Sequence, residues 1–569
     1  MNSYLEFKNA ECRDCYKCLR FCPVKAIEVV NRQARIIESR CILCGKCTEV
    51  CPQNAKRVHT ERDEVKKLLA SGAKVVASVA PSFVSSFEID DFSVMKTALC
   101  MLGFADAEET AVGARMVTAE YKKLLKTGKY VNLITSACPA VNRMIQLYYP
   151  DALKYLAPVD SPMLAHVKML KAADPSRKVV FIGPCIAKKR EGAESGIVDG
   201  VLTFEDLSEL FAEKGVDLAR VAAEEVKGGG EANRAKYYPI SRGIIKSFDK
   251  YVDGYEYVAV DGADKCREVL ENIGSLSGMF LELNTCEYAC VNGPCSLIRK
   301  GSAVKANAAI RKYTNKDIEN GLSAAADLPA GTDFHREYTR LVPGDRNPSE
   351  REIAEILART GKTEKKDELN CGACGYNSCR EKAWAVANGY AEIEMCLPYM
   401  RERAESMSYE IIQSSPNGII MLDSAFNITE INQKAKEIFG ITEKDVKGMP
   451  AFDFINPTEF VLAQEEGKDV HNKRIRIEKT GKTIELSVIL LKKQNVLYGV
   501  MKDITEEADY DEKLNAVKMK TLSTTDEVIK KQMRVAQEIA SLLGETTAET
   551  KVALLKLKKT LQDGGAEDR

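Results

Sequence analysis

The stretch Leu281 to Cys295 reads LELNTCEYACVNGPC, and the rest of the chain is read outward from it. It sets Cys286 and Cys290 four residues apart, a spacing that on a helix puts both thiols on one face. Two thiolates cannot complete an iron-sulfur site that takes four, so distant cysteines must join them. The sequence offers Cys138 in TSACPA and Cys185 in GPCIAKKRE, each in a turn after a short apolar run.

The cysteine count puts this pair in context. Nineteen cysteines, grouped in tight CxxC arrays without a secretory leader, point to metal thiolates in a reducing compartment rather than to disulfides. All but Cys100, Cys266 and Cys295 fall in cluster motifs. Cys100 and Cys266 are expected as buried, non-ligating thiols, and Cys295 has no assigned role. A chain of 569 residues is too long for one core and divides into several domains. With 29% charged residues and a net charge of -1, nothing draws it electrostatically to nucleic acid or an anionic membrane. No run of ~18 apolar residues and no signal peptide is present, so a cytoplasmic protein is expected.

Residues 1–60 hold two copies of CxxCxxCxxxCP. In the bacterial ferredoxin pattern the fourth cysteine of each run ligates the other cluster. One 4Fe-4S cluster then takes Cys12, Cys15, Cys18 and Cys51, and the second takes Cys41, Cys44, Cys47 and Cys22. Zinc is disfavoured, because zinc pairs are normally set apart by a long spacer. Residues 61–345 alternate apolar runs (KVVASVAP, NLITSACP, KVVFIGPC, YEYVAVDG) with amphipathic stretches, which is an α/β pattern. Ligands in such sheets gather at the carboxyl ends of strands, where three of these runs finish in the motif residues.

The three motifs around Cys138, Cys185 and Cys286/Cys290 resemble, in order and spacing, the signature motifs of the FeFe hydrogenases. The cofactor of that family, the H-cluster, is a 4Fe-4S cubane joined through one cysteine to a two-iron subcluster carrying CO, cyanide and a bridging dithiolate amine. The resemblance implies that Cys138, Cys185, Cys286 and Cys290 bind the cubane, with Cys290 bridging to the two-iron unit. It implies that Lys188 holds a cyanide, that Glu191 is the acid following it, and that Ala80, Pro81 and Ser82 in SVAPSF touch the cofactor from the other side. The family usually has a proton-carrying cysteine where this chain has Ala137, and alanine cannot relay a proton. The glutamate and serine of the usual relay fall on Val117 and Ala157, though Glu120 remains. Gly183 and Asn284 replace methionines. This combination resembles the sensory FeFe hydrogenases, which also carry PAS domains.

Residues 346–402 contain Cys371, Cys374, Cys379 and Cys396. This resembles a small four-cysteine iron-sulfur domain of anaerobic redox proteins, and the resemblance implies that CGACGYNSC supplies three ligands and the end of the AWAVANGYAEIEMC helix the fourth, with zinc open as its metal. Residues 403–508 resemble a PAS domain: two strands around Asp423, Asn432 opening a helix, Phe439-Gly440 ending the next, a hairpin at Gly481 and an exit at Asp503-Ile504-Thr505. Such domains bind haem, flavin or nothing, and His471, the one histidine here, reads as a surface residue. Residues 509–569 are helical, with an apolar stripe of Val528, Ile529, Ala536, Ile539 and Leu543 ended by Gly544. A capping box of Thr546 and Glu549 opens a second helix.

The expected architecture is therefore multi-domain α/β and α+β: a 2x4Fe-4S ferredoxin domain, an α/β FeFe-hydrogenase domain, a four-cysteine domain, PAS and C-terminal helices. The expected function is a slow iron hydrogenase serving as a hydrogen or redox sensor. Its partners would be H2, protons, a redox protein such as ferredoxin, and a signalling protein or second copy contacting PAS or the tail. The alternatives are a working electron-transfer hydrogenase with another proton route, and a non-enzymatic iron-sulfur protein lacking the two-iron unit.

Overall fold

The computed structural model describes residues 4–7, 11–223, 232–298, 302–319, 331–443, 446–492, 494–543 and 547–563. The chain forms two compact units, Met1–Met400 and Arg401–Arg569.

The first unit is built around two parallel sheets. One has four strands in the order Asp106–Glu109, Val75–Val79, Lys178–Gly183, Gly200–Thr203. The other has three, Glu256–Asp261, Met279–Asn284 and Asn132–Ile134, again all parallel. Val75–Val79 is buried at all five positions, as a Val-rich strand covered on both faces should be. Strand ends from both sheets point to one place: the 75–79, 132–134, 178–183 and 279–284 strands are each followed at once by motif residues.

The N-terminal segment packs on this body with two short antiparallel ribbons, Leu5–Phe7 with Lys56–Val58 and Ile27–Val30 with Gln33–Ile36. The four-cysteine segment follows the helix Glu350–Ala358, opened by a capping box between Ser349 and Glu352. It docks on the N-terminal segment: Lys25 Nζ donates to Gly375 O at 2.9 Å, Arg20 to Ala373 O at 3.1 Å, and Arg40 lies over the Trp384 ring at 4.8 Å. A β-carbon on Gly375, which has φ +94°, would sit 3.0 Å from Leu19 Cγ.

The second unit contains a five-stranded antiparallel sheet in the order Ile428–Ile431, Gly418–Leu422, Val496–Asp503, Thr483–Leu491, Val470–Arg476. Asn432 caps the helix Gln433–Phe439 by accepting from Ala435 N, and Gly440 ends it at φ 65°. The Phe460 ring lies against Gly499 in an apolar core with Ile420, Leu422 and Ile438, and His471 is exposed. Two helices follow, Thr505–Leu543 and Thr547–Asp563, tied by Lys558 to Asp526 at 3.1 Å. Gly544 and Thr546, named above as helix stop and cap, lie outside the described residues.

Three expectations are corrected. Cys286 and Cys290 are not on a helix: the 279–284 strand runs into a turn and a 3-10 turn, Ala289–Asn292, with Tyr288 and Ala289 at φ 64° and 61°. This tight left-handed turn folds the segment back toward the strand ends, which a straight helix would not do. The helix after Cys379 ends at Ala387, and Cys396 follows a separate 3-10 turn, Ile393–Met395, because Asn388 and Gly389 break the helix first. Cys266 is buried as expected but Cys100 is exposed, on the outer side of Phe92–Met101.

Candidate functional site

The four strand ends border one open-mouthed cavity. Its wall includes Cys138, Cys185, Cys286 and Cys290 together with Ala80, Pro81, Ser82, Ala137 and Lys188. Cys138 is the N-cap of Pro139–Tyr148, with proline at the first helical position where its missing N–H costs nothing. Cys185 stands just before Ala187–Ser195. Two of the four thiols thus lie at helix N-termini, where backbone N–H groups and the helix dipole favour negative charge. Burial pushes the Cys185 thiol up to about 11 and raises those of Cys286 and Cys290 further, with the neighbouring cysteines adding to the effect. A metal that takes them as thiolates must displace their protons.

Lys188 is buried on the cavity wall, not solvated beside Lys189 and Arg190. Its Nζ donates to Glu191 Oε2 at 2.7 Å and to the Ala137 carbonyl at 3.5 Å. Glu191 stands behind it, accepting also from Ser161 at 2.9 Å and from Arg336 at 3.0 Å. Glu191 therefore positions Lys188 and does not itself line the cavity. The Ser82 hydroxyl is buried without a protein partner, leaving a polar group open to whatever fills the space.

The other cysteines gather as well. Cys12, Cys15, Cys18 and Cys51 line one small cavity, and Cys371, Cys374, Cys379 and Cys396 line another. Burial and mutual charge raise the thiols of Cys41, Cys44 and Cys47, with Cys22 among the groups acting on each. Cys44 also lines the central cavity, so the N-terminal cysteines abut it directly. Among the described residues no three His, Cys, Asp or Glu side chains converge closely enough to hold a single metal ion. Four thiols around a hollow are the donor set that a 4Fe-4S cluster takes. Two buried lysines accompany the third quartet: Lys362 Nζ lies 3.5 Å from Cys396 Sγ, and Lys382 donates to Ile393 O at 2.8 Å.

Several wall residues were not singled out from the sequence, among them Thr110, Met163, Tyr238 and Ile244. Glu282, inside the opening stretch, is another find. It is fully buried beneath Asn284, a wall residue, and accepts from the backbone N–H groups of Gly243 and Ile245 at 3.1 and 3.0 Å. Burial raises its carboxyl to about 8 against the pull of the Ile245 N–H. Glu120 is not at the site: it is half-buried and paired with Lys123 at 2.5 Å.

A cavity walled by four cysteines and a buried lysine, with further cysteine quartets beside it, is the donor arrangement of an iron-sulfur protein. Residues 73–294 match the family described as iron only hydrogenase large subunit, C-terminal domain. Residues 5–52 match a 4Fe-4S dicluster domain, 367–398 a putative Fe-S cluster and 407–503 the PAS fold. Part of the chain thus resembles the iron-only hydrogenases, and a PAS fold stands beside that part. It is 27% identical over 315 residues to the periplasmic [Fe] hydrogenase large subunit of Nitratidesulfovibrio vulgaris, covering 48% of this chain and 75% of that one. It is 24% identical over 282 residues to iron hydrogenase 1 of Clostridium pasteurianum, covering 40% of this chain and about half, 49%, of that relative. A solved FeFe hydrogenase of Chlamydomonas reinhardtii aligns at 16% identity with a TM-score of 0.37, over 49% of this chain and 99% of that one. Among the described residues no helix is long and apolar enough to cross a membrane.

Proposed function

We propose that the protein interconverts H2 with two protons and two electrons, slowly, and that this occupancy serves as a hydrogen or redox signal passed on by PAS and the C-terminal helices. The observation that carries the reading is the single cavity on which four cysteines, the anchored Lys188 and the unpartnered Ser82 hydroxyl meet, with Ala137 where a proton-carrying thiol would stand.

Cys138, Cys185, Cys286 and Cys290 would hold the cubane, Cys290 bridging to the two-iron unit, which when bound supplies the hydrogen-splitting chemistry. Lys188 presents a cation to an anionic ligand and is kept in place by Glu191 and Arg336. Ser82 offers a hydroxyl from the opposite wall, and Ala80 and Pro81 exclude water beside it. Electrons would pass by way of Cys44 to the cluster of Cys41, Cys44, Cys47 and Cys22, then to that of Cys12, Cys15, Cys18 and Cys51. The Cys371, Cys374, Cys379 and Cys396 cluster would receive them across the Lys25–Gly375 contact. A soluble carrier such as ferredoxin would complete the circuit. The helix Thr505–Leu543 leaves Leu514, Val517, Val528, Val535 and Ile539 exposed, an apolar edge suited to a second copy or a signalling protein.

Anaerobic maturation followed by infrared spectroscopy tests the reading. CO and cyanide bands that shift under H2 are expected, and their absence from protein with a full cubane complement would leave a non-enzymatic iron-sulfur protein. For signalling, truncation after Arg403 should keep hydrogen turnover and lose partner binding; loss of the cofactor on truncation would contradict it.

A further inference from the structure

Where the family's usual relay runs, this chain is apolar. Ala137 is on the wall, and Val117 and Ala157 are fully buried in one apolar cluster next to it. A different line of polar groups leaves the same cavity. Thr110 is a wall residue, and its Oγ1 lies 2.8 Å from Ser78 Oγ. Ser78 Oγ lies 2.8 Å from His166 Nδ1, and His166 Nε2 lies 3.4 Å from Glu108 Oε2. Ser78 and His166 are completely buried, Thr110 is 5% exposed, and the Glu108 side chain is 37% exposed. The line thus runs from the cavity to solvent with no gap wider than a hydrogen bond.

The fold places these groups deliberately close. Ser78 and Thr110 sit at neighbouring strand ends, Ser78 paired across the sheet with Glu108. His166 comes from Pro162–Ala173, which packs on Ala111–Lys126 at Gly113. A β-carbon on Gly113 would lie 2.6 Å from His166 N and 2.7 Å from His166 Cβ, so glycine is what lets the histidine reach Ser78.

We infer that Thr110, Ser78, His166 and Glu108 form a proton wire between the cofactor cavity and solvent, standing in for the relay that Ala137, Val117 and Ala157 cannot provide. The inference rests on the hydrogenase reading above. Hydrogen-bond chemistry fixes the direction of the wire. The Glu108 carboxyl is held below its usual range, first by its bond from His166, so it is ionised and can only accept. His166 Nε2 must then carry the hydrogen, and with Nδ1 as acceptor Ser78 donates to it and Thr110 donates to Ser78. The lone pairs of the Thr110 hydroxyl are then left to accept, on a residue of the cavity wall. A proton arriving there makes a new O–H bond as Thr110 passes its own hydrogen to Ser78. Ser78 passes its hydrogen to Nδ1, and Nε2 gives its proton to Glu108, which releases it to water. The transfer leaves the ring as Nδ1–H; the two hydroxyls rotate back, and the ring regains its first tautomer by taking a proton at Nε2 from water through Glu108 and giving its Nδ1 hydrogen to water, so that one proton has passed from cavity to solvent.

A bland alternative is that Ser78 and Thr110 merely satisfy a buried histidine. The test uses full-length protein labelled with 15N-histidine. The chain has four histidines, so the His166 ring can be assigned with a single His166→Gln variant. The expected result is a neutral Nε2–H ring whose Nδ1 resonance moves in Ser78→Ala. An Nδ1–H ring, or no response to Ser78→Ala, overturns the wire. In matured protein, normalised to its infrared CO bands, Ser78→Ala and Glu108→Gln should each lower turnover about tenfold or more, with an altered solvent deuterium isotope effect. Glu108→Gln sits at the half-exposed end and keeps the acceptor, so it reads transfer without threatening the fold. Turnover within twofold of wild type in both variants refutes the inference. If no CO bands form, the hydrogenase reading has failed, and the tautomer experiment still decides the wire's geometry.

Discussion

Gly45 lies against Pro294, in the seam where the second N-terminal cysteine motif meets the turn that carries Cys286 and Cys290. Gly45 has φ +77°, and a β-carbon there would run into the Pro294 ring and come within 3.1 Å of Ile186 Cδ1. The next residue back, Cys44, lines the central cavity. Gly45→Ala should therefore strain the left-handed backbone by about 1–2 kcal/mol and push Cys44 away from the cavity. The expected outcome is slower electron delivery to the central cluster, read as a drop in dye-linked turnover with the infrared CO bands unchanged. Unchanged turnover would show that the seam yields without consequence.

Glu191 bears two cations, Lys188 and Arg336, while itself being 4% exposed. Removing the acid of a buried pair leaves its partners uncompensated and typically costs about 3–5 kcal/mol. Glu191→Ala should thus destabilise the first unit by an amount in that range, measured by denaturant unfolding. Glu191→Gln retains the acceptor oxygen for Lys188 and should cost less. Equal losses in the two variants would mean that the negative charge, and not the acceptor oxygen or packing, holds Lys188.

Glu282 offers a pH signature. Its carboxyl ordinarily titrates near 4.5 and is raised by burial to about 8 in the folded protein. Between those values the unfolded chain gives up the proton while the folded chain keeps it. The stability is complete below about 4.5, falls as pH rises by up to about 1.4 kcal/mol per unit, and levels off above about 8. Glu282→Gln should flatten that slope, so the difference between the two unfolding curves isolates the group from Asp261, whose carboxyl burial also raises. Parallel curves for wild type and variant would place Glu282 ionised.

The quartet of Cys371, Cys374, Cys379 and Cys396 should take a 4Fe-4S cluster. Anaerobic reconstitution is expected to give about sixteen irons outside the two-iron unit, four for each four-cysteine cubane. Replacing Cys374 with Ser should remove about four of them. Stoichiometric zinc at this site would overturn the assignment.

Much of this was legible from the chain, and the reason is chemical. Cluster ligands must be cysteines, and strands buried on both faces must be runs of Val and Ile, so Cys138 and Cys185 could be placed at strand ends without coordinates. What could not be read depends on contacts far apart in sequence. CxxxC is compatible with a helix face, and the left-handed Tyr288 and Ala289 that fold it into a turn carry no glycine to announce it. Glu282 carries no local mark of its role, because its donors, Gly243 and Ile245, lie some forty residues earlier. The exposure of Cys100 depends on which side of its helix faces the core, and its apolar neighbours pointed the wrong way.

The remaining prediction concerns Ala137. It lies on the cavity wall, where its carbonyl accepts from Lys188 and its methyl group can hold no proton. The next two stations of the usual route, Val117 and Ala157, have no accessible surface and no polar side-chain atom. Glu120 is turned outward to Lys123 and cannot stand in for them. General acid-base help is typically worth ~10²–10⁴ in rate, so turnover should fall below that of relay-containing relatives by up to a factor of that order, according to how much of it the Thr110–Glu108 line restores, and still be measurable. A thiol introduced by Ala137→Cys restores the first station only, because the proton it accepts meets hydrocarbon at Val117 and Ala157. The gain should therefore be partial. If protons leave instead by Thr110 and Ser78, the thiol adds a station that leads nowhere, and Ala137→Cys should help no more in a Ser78→Ala background than in wild type. Fast wild-type turnover in both directions, unaltered by Ala137→Cys, would show that neither the missing thiol nor the apolar route behind it limits the rate.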